Sequence, residues 1–581
     1  MRNPMIMFLI IIIAFSPALL VYSLPEGRTR VFVGAWSYTI PEKGGSFNPL
    51  VWHNLFGMSF YMDLIYETLA WYYAHNDTLE PRLAESWELK GDEFIVHLRR
   101  DVVWHNGEPF TAKDVVCTFY LYKLLGLRVW EYLDYVKALD PHTVVFKIKK
   151  WTPFLPRLIL RHQGYRLGAN YILPYSVFGN FSDEVIRRLA YGEPLDDLRT
   201  AFFNYRPDVP YIGTGPFMWT GEVTESELWL KKFEKHRDAD KIGFDWIRII
   251  RGETADITPF MLAKEIDYAT HGFPPATLKQ LGEIGYKFLR LPRLFGPALY
   301  FNLKMYPFNL TEFRKAIAYA INREENCLVT VGPGGVPEKY LVGFPGSQVA
   351  RWLTEETLAK LEKYEYDPEK AMKILEGLGF KRGPDGVLVA PDGTRMEFEL
   401  ITIFFADRVP AAENIAKQLE KIGIKVKVKV LNDWSAYMNA LNTGNFEMWL
   451  GWYGDQMQYH PLFSYELIFL SFNYPSGLGP GISFDLVQDT KTLGRVNVTE
   501  LLEKAATGTP EEQSEAINKL ALAFNELLPG IPLFEYLGYN PYLDGVRVTG
   551  WLPEDDPLYE NAVYADNPVV MMIAKGILKP T

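Results

Sequence analysis

The chain has 581 residues, 48% hydrophobic and 23% charged, so it can bury more than one core and needs no disulfide staple. Its formal net charge of −11 argues against a nucleic-acid or anionic-membrane surface, since both are recognised by clustered Lys and Arg. Aromatic residues reach 15%, which fits large cores and equally a cleft with stacking faces for sugars or apolar side chains.

The first residues, "MRNPMIMFLIIIIAFSPALLVYSLPEG", carry one positive charge, an apolar stretch over residues 5–21 and small residues near Ser23. Residues 1–24 read as a secretory signal, with an uncleaved N-terminal anchor as the alternative. No Cys lies near the expected cleavage point, so a lipid anchor is not expected. The bulk of the chain is then expected to work outside the cytoplasm, in the periplasm or at the cell surface. Cys117 falls in an apolar helical pattern and Cys327 follows a helix; nothing local supports a disulfide between them.

A strand, "TRVFVGAW", opens the mature part, followed by a Gly/Pro-rich loop. Residues 62–71 read as a helix, and Asn76-Asp77 as a turn. "EFIVHLRR" alternates apolar and polar residues with the period of a half-buried strand. In "VVWHNGEPFTAKDVV", Asn106-Gly107 suits two left-handed positions, and Thr111 with Asp114 forms a capping box ahead of a helix. "YIGTGPFMW" is a Gly-Pro turn entering a strand. "TEFRKAIAYAINREEN" is a helix with one apolar face. "MEFELITIFF", "AAENIAKQLEKIGIKVKVKV" and "DWSAYMNALNTGNFEMWLGWYGD" alternate strand and helix, the pattern of a parallel α/β sheet. No flexible linker separates the halves, which suggests two bodies joined by extended strands and closing about a hinge.

The chain carries no H-E-x-x-H, G-x-S-x-G, P-loop or G-x-G-x-x-G sequence. None of its nine His has a second His or Cys at i, i+4. His105 reads as a packed loop residue and Glu108 as a solvent-facing turn carboxylate. No catalytic role, metal or cofactor is expected. The best polar cluster is "EMWLGWYGDQMQYHP", where an apolar strand ends at Gly454 and Asp455. In open α/β sheets ligands bind outside the carboxyl ends of the strands. Trp452 and Tyr453 would offer flat faces there. Asp455 would either cap a loop amide or anchor a cationic or hydrogen-bond-donating ligand group.

Across nearly all of the mature chain these motifs resemble the extracellular solute-binding proteins of ABC transporters, family 5, the oligopeptide-, dipeptide- and nickel-binding type. The resemblance rests on "LEPRLAESWEL", "EFIVHLRRDVVWHNGEPFTAKDVVCTFY", "YIGTGPFMW", "YFNLKMYPFNLTEFRKAIAYAINRE" and "LGWYGD". It implies an α/β, two-lobed, type II periplasmic-binding-protein-like fold with an extra α+β domain inserted in lobe one. Lobe one would span 25–302, with the insert at about 60–205, lobe two 303–530, and 531–581 would return to lobe one. It implies a monomer that captures a peptide-like solute and delivers it to ABC permease subunits in the membrane, with an oligosaccharide binder on the same scaffold as the alternative. By the same resemblance Asp455 pairs with a peptide α-ammonium and Trp452 lines the pocket. Arg408, before the lobe-two helix, is the candidate partner for a carboxylate, and Trp36 and Phe47 face the cleft from lobe one. Beyond Asp455 the chain reads "QMQYHP" where peptide binders carry further acidic residues, a departure that concerns the ligand.

Overall fold

The computed structural model describes residues 27–37, 48–50, 62–161, 171–209, 211–252, 254–270, 272–454, 459–476, 479–561 and 567–581. The N-terminal segment 1–24, Phe47 and Asp455 lie outside them. No helix among the described residues is long and apolar enough to cross a membrane.

Two mixed sheets form the cores of two lobes. In the first, the strands run in the order Lys287–Pro292, Phe534–Tyr542, Tyr268–Ala269, Val31–Ser37, Trp246–Arg251, Glu227–Lys232 and Phe217–Val223, and Gly335–Pro337 also pairs with Phe534–Tyr542. The second has the order Lys425–Leu431, Glu397–Ile403, Met448–Gly454, Phe295–Phe301 and Gly530–Pro532. Lys425–Leu431, Glu397–Ile403 and Met448–Gly454 run parallel, as the strand–helix alternation predicts. Phe295–Phe301 joins them antiparallel because it enters from the other lobe and not through a crossover helix. That strand already belongs to the second sheet, so the chain crosses before residue 295 and not at the expected limit of 302.

A four-stranded antiparallel sheet, Ala84–Lys90, Glu93–Leu98, Thr143–Ile148 and Leu133–Asp140, carries the helices Ala112–Leu124 and Tyr175–Tyr191. Thr111 starts the first of these as expected, its amide donating to Asp114 Oδ2 at 2.8 Å. Residues 62–71 differ from expectation: only Met62–Ile65 is helical, and Ala70–Tyr73 forms a hairpin with Thr78–Pro81. The run Trp71-Tyr72-Tyr73 favours a pleated, half-buried surface over a helix. At the Asn106-Gly107 turn only Gly107 is left-handed, at φ +87°. Asn106 instead fixes the turn by accepting from the Glu108 amide at 3.1 Å.

His105 is the packed residue the sequence suggested. Its Nδ1 accepts from the Gly213 amide at 3.2 Å and its Nε2 lies 2.9 Å from the Gly215 carbonyl. Burial pushes its pKa down to about 4, so the ring is neutral and donates from Nε2. Glu67 gathers a buried ion cluster: its carboxylate accepts from Arg82 at 2.8 Å and from Arg237 at 2.9 Å. Cys117 and Cys327 are free buried thiols in separate cores.

Candidate ligand-binding site

The chain passes directly from a strand of one sheet to a strand of the other at two places, between Pro292 and Phe295 and between Pro532 and Phe534. The two crossings lie side by side. Leu533 donates to the Pro297 carbonyl at 3.0 Å and Arg293 to that of Tyr536 at 3.1 Å. Gly296 permits this approach, since a Cβ there would lie 1.7 Å from the Phe534 carbonyl oxygen. Two such adjacent crossing strands form a hinge.

Beside the hinge, the carboxyl end of Met448–Gly454 emerges. Gly454, at φ +90°, packs against the crossing, and a Cβ there would meet the Leu294 carbonyl oxygen at 2.3 Å. Its amide donates to Ser464 Oγ at 2.9 Å. Trp452 is half-buried, its ring edge-on to Trp449 at 5.5 Å and to Phe472 at 5.2 Å. Its carbonyl accepts from the Tyr300 hydroxyl at 2.9 Å. Tyr453, on the opposite face of the strand, is fully buried and donates its hydroxyl to Glu338 Oε1 at 2.5 Å. The expected flat face at Tyr453 is therefore turned into the protein, because successive strand residues alternate sides.

Parallel pairing of Ile401 with Trp449 brings the next loop, after Glu397–Ile403, to the same edge as Trp452. That loop presents Phe404 and Phe405, 44% and 36% exposed, with ring centroids 5.1 Å apart. They form one wall of a cavity of about 560 Å3. The other wall comes from lobe one: Thr254 and Thr258 on the helix Thr254–Leu262, and Gly272, Pro274 and Thr277 at the start of the helix Pro275–Glu283. Among the described residues the lining holds no charged side chain. The Thr254 hydroxyl donates to the Gly272 carbonyl at 3.3 Å and that of Thr258 to the Thr254 carbonyl at 2.6 Å. The Thr258 hydroxyl keeps lone pairs with which to accept from a ligand.

Of the expected site residues, the structure brings Trp452, Tyr453, Gly454 and Arg408 to one edge. Arg408 is the first residue of the helix Arg408–Lys421 and only 9% exposed. Its Nη1 donates to the Gly451 carbonyl at 2.7 Å and its guanidinium lies 5.9 Å from the Tyr536 ring. Tyr536 in turn donates to Asp407. Much of Arg408 is thus spent on holding the strand end against the hinge. Trp36 lies on the strand Val31–Ser37 at the heart of the first sheet, with its side chain outside the description, and Phe47 and Asp455 are outside it entirely. Phe404 and Phe405 were missed. They follow the strand "EFELITI" as Asp455 follows "MWLGWYG", so the strand-end rule applied to every parallel strand finds them. No sequence signal marks Thr254, Thr258 or Thr277.

Two lobes joined by paired crossings, with a cavity between them at the carboxyl edge of a sheet, define a hinged binding protein. The chain belongs to the bacterial extracellular solute-binding proteins, family 5, whose middle portion matches residues 78–475. The dipeptide-binding protein of Escherichia coli (strain K12) is 24% identical over 410 residues, 64% of this chain and 68% of that protein. The fold is shared with the periplasmic oligopeptide-binding protein of an ABC transporter from Thermotoga maritima, at a TM-score of 0.77, 22% identity and 95% and 99% coverage of the two chains. With mannohexaose bound, that protein superposes at 0.74 with the same identity and coverage. AppA of Bacillus subtilis, solved with a nonapeptide, gives 0.68 at 20% identity, with 95% and 99% covered.

Proposed function

We propose that this protein is the extracellular substrate-binding component of an ABC importer, which captures a peptide-like solute by closing its lobes and passes it to permease subunits in the membrane. It works as a monomer, without catalysis or cofactor, after export directed by residues 1–24. The observation that carries the reading is the cavity walled by one helix pair from lobe one and by Phe404 and Phe405 from lobe two, beside the paired crossings. Hinge motion changes the distance between those walls. In this reading Trp452 lines the pocket and Asp455, two residues beyond the buried Tyr453, takes the ligand's α-ammonium. Calorimetry with a short-peptide library tests it. Asp455→Ala is expected to cost a bound peptide about 2–5 kcal/mol, the loss seen when one partner of a buried charge pair is removed. Unchanged peptide affinity in that variant removes the ammonium role.

A second reading, an oligosaccharide ligand, is favoured by the described part of the lining, where two exposed aromatic rings and Thr hydroxyls suit a neutral, hydroxyl-rich ring. The Thermotoga maritima protein of the same fold was solved with mannohexaose. Under this reading Phe404→Ala and Phe405→Ala each weaken sugar binding by about tenfold, roughly 1.4 kcal/mol, while Asp455→Ala changes it little. The reverse pattern of losses selects the peptide.

A further inference from the structure

Two carboxylic acids face one another where the chain crosses between lobes. Glu535 lies on Phe534–Tyr542, directly after the second crossing, and pairs in register with Val336 on Gly335–Pro337. Glu338 follows that short strand, its amide donating to the Leu533 carbonyl at 3.0 Å. Glu338 is 3% and Glu535 2% exposed. Consecutive amides of one turn divide between them: Gly346 donates to Glu338 at 2.8 Å and Ser347 to Glu535 at 3.0 Å, and the Ser347 hydroxyl adds a bond to Glu535 at 2.7 Å.

The surroundings hold too little positive charge for two anions. The charge of Arg323 acts on Glu338, but its Nε is spent on the Glu338 backbone carbonyl at 2.8 Å. Tyr453, from the ligand-facing strand, donates to Glu338, and the Leu294 amide faces Glu535 from the first crossing. Asp407 and Arg408 engage Tyr536, one residue further on, and not the carboxyl pair. Glu338 Oε2 is buried with no hydrogen-bond partner, the place where a proton would sit. Burial first, and then the charge of Glu535, pushes the Glu338 pKa up to about 8, and burial raises that of Glu535 too. Two buried carboxyls side by side do not both ionise near neutral pH.

We propose that Glu338 and Glu535 hold one proton between them at the lobe crossing, and that this proton positions the end of the Met448–Gly454 strand through the Tyr453 hydroxyl. With the proton in place the pair is singly charged and the turn at Gly346, the crossing and the strand end are pinned together. Without it, two anions face each other in a dry space, and the segment carrying Glu338 is pushed off Phe534–Tyr542, with Tyr453 and its strand end following. The consequence for ligand capture, weaker binding in alkaline medium, rests on the solute-binding reading above; the proton and its effect on the strand do not.

The test uses the full, ligand-free protein. The folded state holds a proton that the unfolded state has already lost, so this pair makes stability fall as pH rises towards 8 and level off beyond it. Between about pH 6.5 and 8 the folding constant of the wild type should fall by up to about tenfold per pH unit relative to Glu338→Gln, which keeps both acceptor contacts without the charge. His105 and Asp267, with pKa values of about 4 and 6, are common to wild type and variant, so their titration cancels in the comparison. Hydrogen exchange over 448–454, corrected for its intrinsic pH dependence, should accelerate in the wild type across the window and stay level in the variant. An infrared difference spectrum of the wild type should lose one protonated-carboxyl band over the same range, a readout that needs no variant to fold. Absence of that band overturns the shared proton. If the band is lost while exchange over 448–454 stays level, the positioning role is overturned.

Discussion

Gly296→Ala should lower the stability of the protein by about 3 kcal/mol or more, among the largest losses expected of a single methyl group. The added Cβ would sit 1.7 Å from the Phe534 carbonyl oxygen and 2.9 Å from the Tyr453 ring. Neither neighbour is the free end of a flexible side chain: one is backbone of the second crossing and the other is fixed by its bond to Glu338. The strands must part, and with them the Leu533–Pro297 hydrogen bond. Urea unfolding measures the effect, with Gly377→Ala as the control. Gly377 ends the helix Pro368–Gly377 and nothing lies within 4 Å of its added methyl. That change should be neutral or stabilising by up to about 1 kcal/mol. Equal midpoints for the two variants would show that the crossings do not need to touch.

The second large effect is expected at Glu67. Glu67→Ala leaves Arg82 and Arg237, 8% and 7% exposed at their side chains, with only the longer contacts to Asp238 at 3.4 and 3.8 Å. Breaking a buried pair from one side costs about 3–5 kcal/mol, because the surviving charge keeps its desolvation penalty. Here two charges survive, with Asp238 offsetting part of their cost, so the loss should fall within that range. Burial alone would raise the Glu67 carboxyl, but Arg237 and then Arg82 outweigh it and hold it well below the usual carboxylate range. Its contribution is therefore complete above the unfolded carboxylate value of about 4.3 and is lost as pH falls through the lower folded one. The gap between wild type and Glu67→Ala should narrow in strong acid. The exposed Arg99–Asp101 pair, 2.6 Å long, gives the contrast: Asp101→Asn should cost under about 1 kcal/mol.

The elements most legible in the sequence were those whose signal is local. Thr111 and Asp114 cap their helix, the alternation of "EFIVHL" is a strand, and "MWLGWYG" is a buried strand ending at the cleft. Each follows from the period or the hydrogen-bonding chemistry of neighbouring residues. The site was legible only in part, because its second wall is assembled by topology. Thr254, Thr258 and Thr277 meet Phe404 and Phe405 across some 130 residues of chain, and no spacing announces that meeting. Tyr453 was misread for a related reason. Strand alternation says that Trp452 and Tyr453 face opposite ways, but only the buried partner Glu338, 115 positions away, tells which face is the interior. A carboxylate drawing a tyrosine inward cannot be anticipated from "GWYGD".

The strand order of the first sheet carries a further consequence, for biogenesis. Phe534–Tyr542 is inserted between Lys287–Pro292 and Tyr268–Ala269, so an interior strand of the lobe that begins the chain is supplied nearly at its end. Until that segment arrives, two strand edges formed hundreds of residues earlier stay unpaired and open to wrong partners. The lobe built from the intervening residues draws four of its five strands from 295–454 and can pack much of its core first. A chain emerging from its N-terminus would thus pack much of its second lobe before the interior strand of its first is in place, and the side-by-side crossings would form late.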